Sequence, residues 1–183
     1  MVNKMNKIRT ILSGNGRRKV WIHGFTLVEI LIVVIILGIL AAIVVPQFSN
    51  ASESARENML RENLRMMRVQ MGTYTIQHLD VAPGYDSEGN PSEADFIAQM
   101  TQYSDIDGNT NNTQTPVFCY GPYMRHIPEN PINILRTVQI IDDATPMPVA
   151  ANDASGWIYK PNELALRAGS SGSDTTGQDY YSY

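Results

Sequence analysis

Cysteine is nearly absent from this chain of 183 residues, which contains only Cys119. A single cysteine cannot form an intrachain disulfide, so the sequence excludes a small scaffold held together by disulfide bonds. Cys119 lies in the apolar stretch from Val117 to Tyr120. We expect its side chain to be a small buried hydrophobic group.

Basic residues are scarce once the first 24 positions are passed. Six of the 14 Lys and Arg residues lie before Gly24, so eight remain in the rest of the chain beside 18 Asp and Glu residues. A protein surface that follows nucleic-acid phosphates needs a strong excess of Lys and Arg. We therefore expect no nucleic-acid partner.

Motifs typical of enzymes are missing as well. The sequence has neither a phosphate-binding loop nor a serine nucleophile motif. His23 lies in the N-terminal segment, and His126 has no neighbour at a metal-ligand spacing. Cys119 and His126 could nominally form a nucleophile pair, but their separation in sequence says nothing about their geometry. We do not expect an enzyme.

One long apolar run is present instead, from residue 25 to residue 45, and three of its members are not apolar: Thr26, Glu29 and Gly38. About 20 apolar residues in a helix cross the roughly 30 Å hydrocarbon core of a membrane. A secretory signal has a shorter apolar region of about 7–15 residues. The preceding segment carries six basic residues and no acidic one. The positive-inside rule therefore predicts a transmembrane helix with a cytoplasmic N-terminus and an exported C-terminal part.

The sequence Gly24-Phe25-Thr26-Leu27-Val28-Glu29, followed by this apolar run and Pro46, resembles the type IV pilin precursor signature. The resemblance implies a cut between Gly24 and Phe25 by a prepilin peptidase and N-methylation of Phe25. It also implies four segments in chain order: a cytoplasmic leader over 1–24, a transmembrane and filament-core helix over 25–46, an amphipathic continuation over 47–82, and a small periplasmic domain over 83–183.

Glu29 is the one ionisable residue in the apolar run. A carboxylate at the centre of a membrane helix costs about 2.5–3.5 kcal/mol on insertion scales, so it needs a charge partner or access to water. Cutting after Gly24 creates an α-amine on Phe25. In the resembled family the matching glutamate pairs with the amine of a neighbouring subunit and sets the register of assembly. The alternative is that Glu29 lies shallow and reaches the headgroups.

Gly38 and Pro46 are expected to weaken the helix, because proline lacks an amide hydrogen and its ring clashes with the carbonyl of Ala42. One interpretation is a kink where the helix leaves the membrane. The other, implied by the resemblance, is that the stretch between Gly38 and Pro46 loses helix during assembly. A rival cut is possible after Ser49-Asn50-Ala51, which loosely fits the small-x-small pattern of a signal-peptidase site. The apolar region before this cut would be too long for a secretory signal.

A helical pattern continues beyond the apolar run, with residues at alternating spacings of four and three that form one stripe: Leu60, Leu64, Met67, Met71, Tyr74 and His78. Val81-Ala82-Pro83-Gly84 should end this helix. We therefore predict an α+β fold in which a long N-terminal helix, transmembrane in its first half, packs against a small antiparallel β-sheet domain.

Beyond the helix, turn residues separate short elements. We predict a short helix from Ser92 to Tyr103, a polar loop from Asp105 to Thr115, and a tail from Gly169 to Tyr183 that is flexible unless a metal or partner fixes it. Four short runs are predicted strands: Val117–Tyr120, Thr137–Ile141, Gly156–Tyr159 and Leu164–Arg167.

Three C-terminal segments are similar to segments of type II secretion pseudopilins: Gly121-Pro122-Tyr123-Met124, Pro128-Glu129-Asn130-Pro131 and Gly156-Trp157-Ile158-Tyr159. The resemblance implies a filament subunit, the major one, in the inner membrane and periplasm. The implied partners are the membrane, further copies of the chain, minor pseudopilins, the prepilin peptidase, and the inner-membrane assembly platform with its ATPase. The alternatives are a type IV pilus subunit for adhesion, motility or DNA uptake, and a membrane-anchored domain that never polymerises.

Calcium is the cofactor that the resemblance suggests, since major pseudopilins commonly bind it in a C-terminal loop. Asp105-x-Asp107-x-Asn109 begins like an EF-hand, but Thr110 and Pro116 replace the glycine and glutamate that this motif requires. The remaining candidate ligands are weak: Asp142, Asp143, Asp153 and Asp174. A solvated acidic surface is the alternative for each of them.

Overall fold

The computed structural model describes residues 24–183. The basic leader, from which the cytoplasmic N-terminus is predicted, lies outside the described residues except for Gly24. The chain divides into two units, Met1–Val44 and Val45–Tyr183. Helix α1, Leu27–Gln77, begins in the first unit and ends in the second. All other described helices and strands belong to the second unit.

The C-terminal end of α1 is a turn with left-handed backbone. Leu79 and Asp80 have φ values of 56° and 63°, and the Asp80 amide donates to the Thr75 carbonyl at 3.0 Å. A left-handed residue just past a helix satisfies carbonyls that would otherwise lack a partner. The helix therefore ends before the Pro83-Gly84 stop that the sequence suggests.

The second half of α1 buries the predicted stripe, whose members are all at most 2% exposed: Leu60, Leu64, Met67, Met71, Tyr74 and His78. Phe96, Met100, Trp157 and Tyr159 belong to the same core. Full burial of an apolar side chain contributes about 1.5–3 kcal/mol. The prediction that the helix packs against the small domain through this stripe is confirmed.

Helix α2, Glu93–Thr101, follows as predicted, although it is shorter than the expected range. Ser92 caps it, because the side chain of Ser92 accepts a hydrogen bond from the Asp95 amide at 3.3 Å. Its buried residues Phe96 and Met100 face the core formed with α1.

Two small sheets complete the second unit. Strands β1 and β2 pair antiparallel, and β3, β4 and β5 form a sheet in that order. Their bounds are Tyr103–Ser104 for β1, Thr110–Asn111 for β2, Val138–Ile140 for β3, Trp157–Lys160 for β4 and Ala165–Ala168 for β5. The α+β class is confirmed.

The three-stranded sheet is mixed, which corrects the prediction of a purely antiparallel one. β4 and β5 are antiparallel, but β3 and β4 are parallel. A short turn, Pro161–Glu163, joins the antiparallel pair. The long connection from Ile141 to Gly156 gives the chain room to return and run in the same direction, which a parallel pair requires.

Three local predictions are wrong. Val117–Tyr120 forms no strand, since only Tyr120 pairs, in an isolated bridge with Ser104, and Val117 is 64% exposed. Cys119 is consequently exposed rather than buried. The polar loop after Asp105 contains a strand, β2, because it folds back on β1.

The tail from Gly169 to Tyr183, predicted to be flexible without a partner, is bound to α1 by the protein itself. The amide of Thr175 donates to Glu57 Oε1 at 2.8 Å, and its hydroxyl donates to Oε2 at 3.1 Å. Tyr180 is 5% exposed and belongs to the core. These contacts anchor the tail to the rest of the second unit.

Candidate functional site

The described residues start at the predicted cut site. Gly24 and Phe25 precede α1, and both are exposed. Thr26 caps the helix: its Oγ1 accepts a hydrogen bond from the Glu29 amide at 3.1 Å, and its carbonyl accepts one from Ile30 at 3.2 Å. The bond between Gly24 and Phe25 therefore lies outside the helix, where a protease can reach an exposed backbone. Cleavage and methylation there stay predictions.

The first part of α1 presents an apolar surface with no cover. From Leu27 to Val45 the large apolar side chains are between 42% and 82% exposed. Within the described part of the chain, α1 is the one helix long and apolar enough to cross a membrane. Continuous apolar surfaces of this kind mark contacts with lipid or with other proteins.

Glu29 lies in the first turn of α1 and is exposed. The positive end of the helix dipole favours a carboxylate there by about 0.3–1 kcal/mol at a solvated position. Among residues 24–183 no Lys or Arg side chain is within ion-pair distance of it. In the uncut chain the Phe25 nitrogen is an amide, so the predicted charge partner arises only after cleavage.

Gly38 and Pro46 both lie inside the continuous helix α1. A β-carbon at Gly38 would meet nothing within 4 Å, so no contact of the single chain requires glycine there. Pro46 leaves the Ala42 carbonyl without its helical hydrogen bond. A membrane-exit kink and a loss of helix on assembly both stay predictions for this stretch.

Three of the four candidate calcium ligands serve separate turns and contacts. Asp142 accepts a hydrogen bond from the Ala144 amide at 2.9 Å. Asp143 accepts one from the Tyr85 hydroxyl at 2.9 Å. Asp153 accepts hydrogen bonds from the hydroxyl and the amide of Ser171, and these lower the pKa of Asp153.

Asp174, the fourth candidate, has a buried carboxylate with several donors. It accepts hydrogen bonds from the Thr176 hydroxyl at 2.6 Å and the Tyr183 hydroxyl, and Arg61 forms an ion pair with it. The Thr176 hydroxyl, followed by that of Tyr183, holds the pKa of Asp174 well below its usual range. Over residues 24–183 no three His, Cys, Asp or Glu side chains are grouped as metal ligands.

Sequence reasoning missed the ion pair between Arg61 and Asp174, which are 113 positions apart. No local pattern links a helix arginine to an aspartate in a Ser- and Gly-rich tail. His126 and Cys119, the nominal nucleophile pair, are both exposed, and no hydrogen bond joins them in the described residues.

Comparisons with known proteins match the N-terminal region most clearly. Residues 22–45 match the family model described as the prokaryotic N-terminal methylation motif. The chain is 38% identical over 55 residues to type II secretion system core protein G of Pseudomonas aeruginosa, which covers 30% of this chain and 39% of that protein. It is 32% identical over 111 residues to type IV major fimbrial protein FimA of Dichelobacter nodosus, which covers 52% of this chain and 69% of that protein.

No solved structure matches the chain. The match to the secretion protein spans well under half of that relative, whereas the match to the fimbrial protein spans more than two thirds of it. Neither relative is named as an enzyme. Together, the exposed apolar helix and the methylation motif indicate a chain anchored in the membrane.

Proposed function

Because the chain belongs to the type IV pilin family, we propose that it is a structural subunit of a pseudopilus in type II protein secretion. In this proposal the precursor is cut between Gly24 and Phe25, methylated on Phe25 and added to a filament from the inner membrane. The observation that carries the proposal is the exposed apolar part of α1, which directly follows the cut site and contains Glu29 as its single ionisable group.

The proposed partners follow from this pathway. A prepilin peptidase cuts and methylates the chain, and an inner-membrane platform with its ATPase adds it to the filament. Other copies of the chain and minor pseudopilins are its neighbours in the filament. The basic leader faces the cytoplasm, and the second unit lies in the periplasm.

Moving α1 from the membrane into a filament core exchanges one apolar environment for another. Lipid chains are as apolar as neighbouring helices, so burial of apolar surface does not by itself drive this step. Glu29 differs from the apolar side chains, because an unpaired carboxylate is costly both in lipid and in the filament core. The new amine of Phe25 on a neighbouring copy can neutralise it. The charge pair therefore supplies both direction and register for subunit addition.

The test is filament incorporation of a Glu29→Ala variant in the native host. We expect incorporation to fall at least about tenfold, which corresponds to about 1.4 kcal/mol, while cleavage and membrane insertion continue. Glu53→Ala, which removes an exposed carboxylate further along the same helix, is the matched control and should assemble normally. Normal incorporation of Glu29→Ala would exclude the assembly role of this residue. Absence of the wild-type chain from filaments would instead leave an anchored domain that does not polymerise.

A type IV pilus subunit is the second candidate, because the fimbrial relative is matched over more of its length than the secretion relative. The two functions differ in what a deletion strain loses. Loss of exported folded proteins from the medium, with surface filaments intact, supports the pseudopilus. Loss of surface filaments or surface motility, with secretion intact, supports the pilus.

A further inference from the structure

Charge is distributed unevenly over the second unit. The stretch between Arg68 and Arg125 contains no Lys or Arg and has seven carboxylates: Asp80, Asp86, Glu88, Glu93, Asp95, Asp105 and Asp107. Half of the eight basic residues that follow Gly24 lie within residues 56–68: Arg56, Arg61, Arg65 and Arg68. The chain thus has an acidic region after α1 and a basic region on α1.

Three of these arginines, together with Arg167 of β5, form what we call the basic face: Arg61, Arg65, Arg68 and Arg167. The spacings of four and three put the helical members on one side of α1. Backbone carbonyls hold two of the guanidinium groups, since Arg68 donates to Leu166 at 2.7 Å and Arg167 donates to Tyr181 at 3.2 Å. Burial, and then the nearby charge of Arg167, lower the pKa of Arg68.

The basic face is poorly neutralised by the chain itself. Arg61 pairs with Asp174, but Arg65 pairs only with Glu62, and both of those side chains are at least 67% exposed. An exposed pair of this kind contributes little to stability and is weakened by salt. In the described part of the chain no carboxylate pairs with Arg68 or Arg167. A cleft of about 240 Å³ lies between Arg61, Arg68 and Tyr183.

The acidic region also has a cleft, of about 320 Å³, which we call the acidic cleft. Three carboxylates line it, those of Asp86, Asp95 and Asp107, with Gln99 and Asn109. Over residues 24–183 none of the seven carboxylates after α1 has a Lys or Arg within ion-pair distance. Glu88 directly follows Ser87, which also lines the cleft, and the side chains of Glu88 and Asp107 are exposed.

We propose that the acidic cleft of one copy docks on the basic face of a second copy. The two surfaces have opposite charge. In the described part of the chain the carboxylates of the acidic cleft have no Lys or Arg within ion-pair distance, and two of the four arginines of the basic face have no carboxylate partner. The residues that line the acidic cleft and those of the basic face are entirely different. Contact between two different surfaces is head-to-tail, and it repeats into a filament when the rotation does not close a ring.

This inference rests on the proposed function, because it assigns a contact within the proposed filament. A nucleic acid is a poorer partner for the basic face, since the chain after Gly24 has eight basic residues against 18 acidic ones and repels a polyanion at long range. The acidic cleft is a better partner, because its carboxylates are concentrated on one small surface. Every copy in the filament carries this surface.

The test uses the full-length chain in its native host and measures the amount of filament recovered from the cell envelope. Arg65→Glu should lower it at least about tenfold, because it places like charges opposite each other. Arg56→Glu is the matched control: it is the same charge reversal nine positions away, about half a turn around the same helix, and it should assemble normally. Raised salt should weaken wild-type filaments, since ions screen exposed charges.

A reciprocal change sharpens the test. Glu88→Lys with Asp107→Lys should also lower filament recovery, and combining both with Arg65→Glu should restore most of it. If Arg65→Glu does not fold, this reciprocal pair and its salt dependence decide. If the wild-type chain forms filaments and the charge variants are recovered in the same amount, this inference alone would be overturned. Absence of wild-type filaments would overturn the proposed function as well. If Arg65→Glu forms filaments normally but the chain retains less DNA than the wild type, the basic face would be assigned to nucleic acid.

Discussion

Helix α1 places the same residue type in two opposite environments. Leu37, in the first unit, is 58% exposed, whereas Leu64, in the second, is 1% exposed. Around Leu37 every side of the helix is apolar, but around Leu64 a narrow stripe alternates with charged residues. The second half of α1 therefore buries its apolar stripe against other residues of the same chain. The first half needs lipid or other chains to cover it.

Glycine substitution should give the largest difference between the two units. A β-carbon at Gly169 would lie 2.1 Å from the Ser155 carbonyl oxygen, and only a backbone shift can relieve that overlap. We expect Gly169→Ala to destabilise the second unit by more than about 4 kcal/mol. Gly38→Ala meets open space and should favour the helix by about 1 kcal/mol. Urea unfolding of the detergent-solubilised chain, followed by tryptophan fluorescence, measures the stability of the second unit, which Gly169→Ala should lower and Gly38→Ala should leave unchanged.

A matched leucine pair tests the comparison more directly. Leu64→Ala should lower the free energy of unfolding of the second unit by about 2–5 kcal/mol, because it leaves a cavity in the core. Leu37→Ala removes the same atoms from an exposed site and should change that free energy by less than about 0.5 kcal/mol. Equal effects in urea unfolding would show that the two halves of α1 do not differ in the way the structure indicates.

Much of this architecture was predictable from periodicity. The unbroken apolar run and the stripe from Leu60 to His78 are long, regular patterns, so the helix and its buried face could be predicted. The short helix capped by Ser92 could be predicted too, because its stop and start signals are local. Gly24, Phe25 and Glu29 were singled out by a motif, and their roles in processing and assembly stay predictions.

The remainder depends on contacts between distant segments. The parallel pairing of β3 with β4 is set by how the long connection returns, which no strand pattern encodes. Cys119 was misplaced because a short apolar run looks the same in a strand and in an exposed turn. The basic face gains Arg167 from a strand far along the chain from α1, so sequence spacing alone identifies three of its four members.

His78 should give the smallest effect, a pH dependence confined to the second unit. It stacks on Tyr74 at 3.7 Å and bonds the Tyr74 carbonyl and the Ser104 hydroxyl at 2.8 and 2.9 Å, so its neutral form satisfies both contacts. Burial lowers the pKa of His78 below its usual 6.5.

The unfolded chain therefore binds more protons than the folded one between the lowered pKa and about 6.5. As the pH falls through that window, stability should fall, by at most about 1.4 kcal/mol per pH unit. His78→Gln should remove this contribution, whereas His126→Gln, at an exposed histidine, should keep it. Denaturation at pH 7.5, 6.5 and 5.5, values chosen around the usual pKa, checks the slope. An unchanged slope in His78→Gln would contradict this assignment.

The central claim is that the chain is cut after Gly24 and that the exposed apolar part of α1 is then buried in a filament. Its most direct test is the intact mass of the protein extracted from the membranes of its native host. We predict a mass that starts at Phe25 and carries one added methyl group. A mass that starts at Met1, or at Ser52 after the rival cut, would contradict the claim.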